Sequence, residues 1–162
     1  MGTRSEVATL IASVDERLER IVALLDGMTE AQLNWRPDLD GGNSAYVLAT
    51  HTLGNARAWM LGIIPEKPLR RDRPAEFAAS GADATTLRDQ QRALSQEMAT
   101  ALASITTADL DRRLTPAQEL WGEGTARELS LREAFLHVIE HASLHLGHIQ
   151  LTRDLALSAA SP

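Results

Sequence analysis

The sequence predicts an all-α protein, a four-helix bundle formed as a single domain over residues 1–162. Three observations predict it. Four segments carry apolar residues at three- and four-residue steps, the repeat of an amphipathic helix. No run alternates apolar and polar residues as a half-buried strand does, and no Asn-Gly hairpin signal occurs. A hydrophobic fraction of 44% in 162 residues supplies one core, whereas two domains would each stand near the size floor.

The first helix is expected from about Ser5 to Asp26. Val7, Leu10, Ile11, Val14, Leu18, Ile21, Val22 and Leu25 form its stripe, and Gly27 is its stop signal. Thr29, Glu30 and Leu33 suggest one short helical turn, after which Pro37 and Gly41-Gly42 force a connection. Asn43 or Ser44 caps the second helix, which runs to about Ile63 before Pro65 and Pro68. A long loop rich in arginine follows. The third helix runs from near Asp83 to near Ser104, with Leu87, Leu94, Met98 and Leu102 on a narrower stripe. A second long connection holds Pro116, Gly122 and Gly124. Ser130 and Glu133 then form a capping box that opens the fourth helix, which reaches about Leu157. Helices of roughly 20 residues are about 30 Å long and can share one seam. The two long connections argue against a plain up-down-up-down order.

Composition excludes several functions. Sixteen Lys and Arg against twenty-two Asp and Glu give a net charge of −6, so no nucleic-acid partner is expected. The chain has no cysteine. That removes disulfides, thiolate metal sites and a cysteine nucleophile, and it fits a cytoplasmic protein. Glu6 and Asp15 interrupt the N-terminal apolar pattern, and no stretch approaches the roughly 20 apolar residues of a spanning helix. No membrane partner is expected.

All five histidines fall on two of the expected helices. His51 is on the second, and His137, His141, His145 and His148 are on the fourth. At about 100° per residue, the last three lie within about 80° of His137, on the stripe that should face the interior. Imidazoles buried without partners are costly. A divalent cation resolves that cost by taking one nitrogen from each of several rings, and two histidines at i and i+4 on a helix grip one ion. The pair is His137/His141 or His141/His145, and His51 is the obvious third donor from a facing helix. Such a set suits Zn, Ni, Fe or Cu and does not choose between them, with Mn and Co as further candidates. The competing reading makes these histidines ordinary core or rim residues.

The run HVIEHASLHLGHIQLTRDL resembles the C-terminal helix of the DinB/YfiT-like superfamily, which carries a metal-ligand pair four apart. The run NWRPDLDGGNSAYVLATHTLGNARAWML resembles the same family's second-helix block, with a capping Asn-Ser ahead of a ligand histidine and a tryptophan after it. The loop RDRPAEF resembles a segment of the branch that includes mycothiol-dependent isomerases. The resemblance implies an up-down-down-up bundle, often dimeric, with ligands at His51, His141 and His145. The mycothiol-linked branch often has Glu where this chain has His141, so the three-histidine pattern sets this sequence apart from it. His148 follows the family glycine as a pocket or outer-shell residue, and His137 is an alternative ligand or a pocket wall.

Other residues have two readings each. Asn55, one turn beyond His51, orients a metal-bound water or substrate, or is an interhelical hydrogen-bonding residue. Trp59 lines the pocket or packs the core, and Trp35 and Trp121 plug bundle ends or shape a pocket mouth. Arg70, Arg71 and Arg73 collect an anion or form solvated ion pairs. Glu140 accepts from an imidazole N–H or is a surface carboxylate. Leu136, Ile139 and Leu146, outside the histidine arc, suggest a homodimer contact or burial under a connection. The functional expectation is a metal-dependent enzyme with an open coordination position. It would act in thiol transfer to an electrophile, thiol-dependent isomerisation or hydrolysis, with a small-molecule thiol or electrophile as partner. The alternative is a non-catalytic metal-binding or stress-response protein whose site His148 or His137 closes.

Overall fold

Three of the long helices begin where a serine side chain caps them. The computed structural model describes residues 5–122 and 124–159. Helix α1 spans Glu6–Ala23, and the Ser5 hydroxyl accepts the Ala8 N–H at 3.2 Å, satisfying one of the orphan donors of the first turn. Val7, Val14, Leu18, Ile21 and Val22 are buried along it. The chain leaves the helix through Gly27 at φ 76°, a conformation that costs glycine little. Thr29 and Gln32 form a capping box around the short α2, Glu30–Asn34.

Ser44 caps α3, Ala45–Arg57, by accepting the Val47 N–H at 3.2 Å. At Ala58 the backbone widens into a π-helical segment, Ala58–Ile63, all of it buried. The Ile64 N–H there donates to the Trp59 carbonyl at 2.8 Å. The expected single helix ending at Ile63 is therefore an α-helix continued by a π-turn. Such turns concentrate at functional sites, and this one starts three residues after Asn55.

The arginine-rich connection is more ordered than its sequence suggests. It contains α4, Arg73–Phe77, capped by Asp72, whose carboxylate accepts the Ala75 N–H at 3.1 Å. Five residues are too few to display a helical repeat. Farther along, the Asn34 side chain donates to the Gly81 carbonyl at 2.8 Å and accepts the Gly81 N–H at 3.1 Å. Gly81 lies so close to the Tyr46 ring that a Cβ would overlap it, so the connection is held against α3.

Helix α5 spans Thr85–Ala101 and buries Leu87, Gln91, Leu94 and Met98. The next connection holds the short α6, Gln118–Trp121, and two two-residue strands. These are β1, Arg113–Leu114, and β2, Leu129–Ser130, paired antiparallel with Leu114 opposite Leu129. Strands this short cannot show alternation, so no period-2 pattern marks them. The capping box forms as expected: the Ser130 hydroxyl accepts the Glu133 N–H at 3.2 Å, and the Glu133 carboxylate accepts the Ser130 N–H at 2.6 Å. It opens α7, Leu131–Ala159, a 29-residue helix.

Helix α7 packs on α1 and α3, and α5 packs on the same two. Trp59, Phe135, Leu18, Ile21 and Met98 are among the fully buried side chains, each stabilising the fold by about 1.5–3 kcal/mol through lost water contact. Ile139 and Leu146, read either as a dimer contact or as buried, pack partly buried against this core. The exposed apolar residues of α7 are Leu136, Leu144, Leu151 and Leu155, and the last three lie within about 40° of one another around the helix. No helix among the described residues is long and apolar enough to cross a membrane.

Candidate metal centre

The core residues of α7 include Ala134, Phe135, Val138, Ala142 and Ile149. His137, His141 and His145 fall on the flank of that stripe, not at its centre, and are half-buried. They therefore open onto a cavity instead of being sealed by packing. His51 projects from α3 into the same cavity and is 6% exposed. Its ring centroid is 5.1 Å from that of His141 and 5.3 Å from that of His145, and the His141 and His145 rings are 4.5 Å apart. One donor atom from each of the three lies within 4.8 Å of the others. His51, His141 and His145 are thus the set brought together.

Two features of this triad fit a divalent cation. The Nδ1 atoms of His141 and His145 are buried without a hydrogen-bond partner, which is costly unless something else takes them. The His141 and His145 rings are also kept neutral, as ligands must be. Burial pushes His141 down to about 3, aided by repulsion from His145, His51, His137 and Arg71. Burial likewise pushes His145 down to about 4, with His51 and His148 adding to it.

The third ring is held from behind by a residue the sequence reading passed over. The Glu76 carboxylate lies 2.8 Å from His51 Nδ1. Arg71 grips the same carboxylate bidentately, Nε to Oε1 and Nη2 to Oε2, each at 2.8 Å. Burial pushes the Glu76 carboxyl up, but hydrogen bonds from His51 and Arg71, with the Arg71 charge, outweigh that and hold it below the usual carboxylate range. An ionised carboxylate can only accept, so His51 carries a proton on Nδ1, which leaves Nε2 as its metal-facing nitrogen. Gly54, one turn along α3, makes room: a Cβ there would sit 2.6 Å from Glu76 Cδ. A glycine inside a helix three residues after a candidate ligand was the available signal, because it marks a close approach. Glu140, weighed as the imidazole's acceptor, is instead exposed on α7.

The cavity measures about 460 Å³ and is also lined by Asn55, Arg71, Arg73, Phe77, Trp121 and His137. Phe77 stacks on His51 at 4.6 Å, and the Arg73 guanidinium lies 4.9 Å over the Phe77 ring. Arg71 is not a solvated loop residue, since its side chain is 3% exposed. Asn55 is 4% exposed, and its Oδ1 has no partner. Trp59 is fully buried behind the lining, 4.2 Å from the His137 ring and 5.6 Å from Trp121. His148 is exposed, one step beyond His145 with rings 5.5 Å apart, and does not line the cavity.

No curated protein matches this chain. A family model does, that of the DinB superfamily, over residues 13–149. The match takes in α3, α4 and the three clustered histidines, and by it the chain belongs to the DinB superfamily.

Proposed function

We propose that this protein is a metal-dependent enzyme acting on a small-molecule thiol or electrophile, as a thiol transferase or a thiol-dependent isomerase or hydrolase. One observation carries the reading: three histidine side chains converge on one side of a cavity, a donor atom of each within 4.8 Å of the others, two of them with orphaned nitrogens. His51, His141 and His145 would hold the ion, and Ni or Zn is among the metals that suit an all-imidazole set. A divalent ion so held supplies Lewis acidity, which makes the anion of water or of a thiol available near neutral pH. Glu76 and Arg71 keep His51 in the correct tautomer, while Phe77, Trp121 and Asn55 shape the space beside the triad. The chain has no cysteine, so any thiol comes with the substrate.

The same reading includes an up-down-down-up bundle, a cytoplasmic location and a homodimer. Leu144, Leu151 and Leu155, exposed at 57%, 61% and 45%, form a row on α7 that a second copy would cover. Gly147 lies among them with open space around its Cβ position, which permits close helix approach. A closed, non-catalytic site is less well supported, because His148 lies outside the cavity and the His137 ring centroid is 6.0 Å from that of His141.

The test is metal analysis of protein purified without a histidine tag, with X-ray absorption to count ligands. Three imidazoles plus an exchangeable light atom are expected. Four protein ligands would overturn the catalytic reading. His145→Ala is expected to lose the metal and keep the helical signal, and assays with several thiols and electrophiles then identify the reaction.

A further inference from the structure

One turn from the histidine triad lies a second polar layer that a bound cation would not satisfy. His51 meets His141 and His145, whereas Trp59 meets His137. Helices α3 and α7 therefore run in opposite directions past the site. Asn55, between His51 and Trp59, thus sits between the level of the triad and that of His137. Both line the cavity, and both hold buried atoms with no partner, Asn55 Oδ1 and His137 Nε2. Neither is loosely placed. Asn55 is 4% exposed on a helix that runs on into the π-turn. The His137 ring packs against Trp59 at 4.2 Å and near-parallel to Trp121, at 6.4 Å and 16°. Unpaired polar groups this well buried cost roughly 1–3 kcal/mol each.

The charges define the other end of a ligand. Three neutral imidazoles leave a divalent ion its full charge, and Glu76 cancels only Arg71. An anion is the natural partner at the metal end. The asparagine oxygen, about 5 Å away by one helical turn, calls for an O–H or N–H donor. The His137 nitrogen on the same cavity can donate or accept.

We infer that Asn55 and His137 form the specificity subsite for a small organic anion, one end on the metal and a hydroxyl or amide N–H one helical turn away between these two residues. This rests on the metal reading above and adds the substrate class. It places Asn55 as a specificity-determining residue that touches substrate, and His137 as its partner.

A matched pair of carboxylates tests it. Protein loaded with Co(II) is titrated with 4-hydroxybutanoate and with pentanoate, in which a methyl replaces the hydroxyl, and the Co(II) visible spectrum is followed. The wild type is expected to bind the hydroxy acid about tenfold more tightly, as one buried hydrogen bond allows. Asn55→Leu is expected to bring the ratio to about one while Co(II) stoichiometry stays unchanged. His137→Phe should reduce the ratio severalfold. In metal-free protein, Asn55→Leu should raise the melting temperature, since it removes an unpaired polar group. Equal affinities in the wild type would mean that water alone serves this layer and would overturn the inference. So would a preference that survives Asn55→Leu, or binding of neither acid at millimolar concentration. A protein that takes up no Co(II) overturns the metal reading and the inference with it, and is recognised by the missing visible absorption.

Discussion

Gly54→Ala is the sharpest probe of the support behind His51. Two effects oppose each other. Gly54 lies inside α3 at an ordinary helical φ, so alanine should stabilise the helix by about 1 kcal/mol. Its Cβ, however, would lie 2.6 Å from Glu76 Cδ, against an ordinary contact of about 3.5–4 Å. The carboxylate must retreat by about 1 Å. Its bonds to His51 Nδ1 and to Arg71 Nε and Nη2 are all 2.8 Å, and at least one would be lost. A hydrogen bond to a charged group is worth about 1.5–3 kcal/mol, so a net loss of about 1–2 kcal/mol is expected in urea denaturation of metal-free protein. The same substitution in a Glu76→Ala, Arg71→Met background has nothing to strike. There it should stabilise by up to about 1 kcal/mol. The sign reversal is the coupling. If Gly54→Ala stabilises both backgrounds equally, Glu76 is not held where the argument needs it.

Glu76→Gln preserves shape but removes the charge on which the His51 proton and Arg71 both depend. Metal affinity should fall about 10–100-fold, as found when the partner of a ligand imidazole is altered, and competition with a chromogenic chelator would measure it. The acid sensitivity of metal-free protein also follows from the site. An exposed histidine in the unfolded chain protonates near pH 6.5, whereas His141 and His145 resist protonation down to about 3 and about 4. Between those values the unfolded state binds more protons. Stability from these groups is therefore full above about pH 6.5 and falls as the pH drops toward 4; His141→Phe should flatten the dependence of the urea midpoint on pH across that window. Leu144→Glu with Leu151→Glu should convert a dimer to a monomer in light scattering while leaving the circular dichroism unchanged; a wild type that is already monomeric refutes the dimer.

The long helices were legible because each carries its own evidence. Ser5, Ser44 and Ser130 cap helices whose apolar repeats run for several turns, and the starts fell within one or two residues of the observed ones. The histidine triad was legible for a similar reason. His141 and His145 are fixed on one face by helical geometry, and His51 was the sole histidine on another helix. What stayed hidden depends on contacts between segments far apart in sequence. Glu76 lies in a five-residue helix with no repeat to read, and its partner is 25 residues away. The exposed row Leu144, Leu151 and Leu155 was not singled out because α7 is apolar nearly all round. Periodicity alone did not decide which side of it α1 and α3 would cover, and Ile139 and Leu146 went to the core.

The buried Arg71–Glu76 pair shows how site and loop depend on each other. An ion pair this enclosed, with side chains 3% and 9% exposed, is a poor investment in stability, because desolvation offsets much of the attraction and apolar replacements often do as well. Its presence is better explained by what it orients. Glu76 holds the His51 proton on the side away from the cavity, and Arg71 keeps Glu76 ionised so that it can do so. Asp72 caps the short helix that carries Glu76, and Phe77 from its last turn lies against the His51 ring. A connection that composition alone would assign to solvent thus becomes the back wall of the centre. Its length follows from that duty: the chain must leave α3, return to the level of His51, deliver one carboxylate and one guanidinium, and still reach the start of α5.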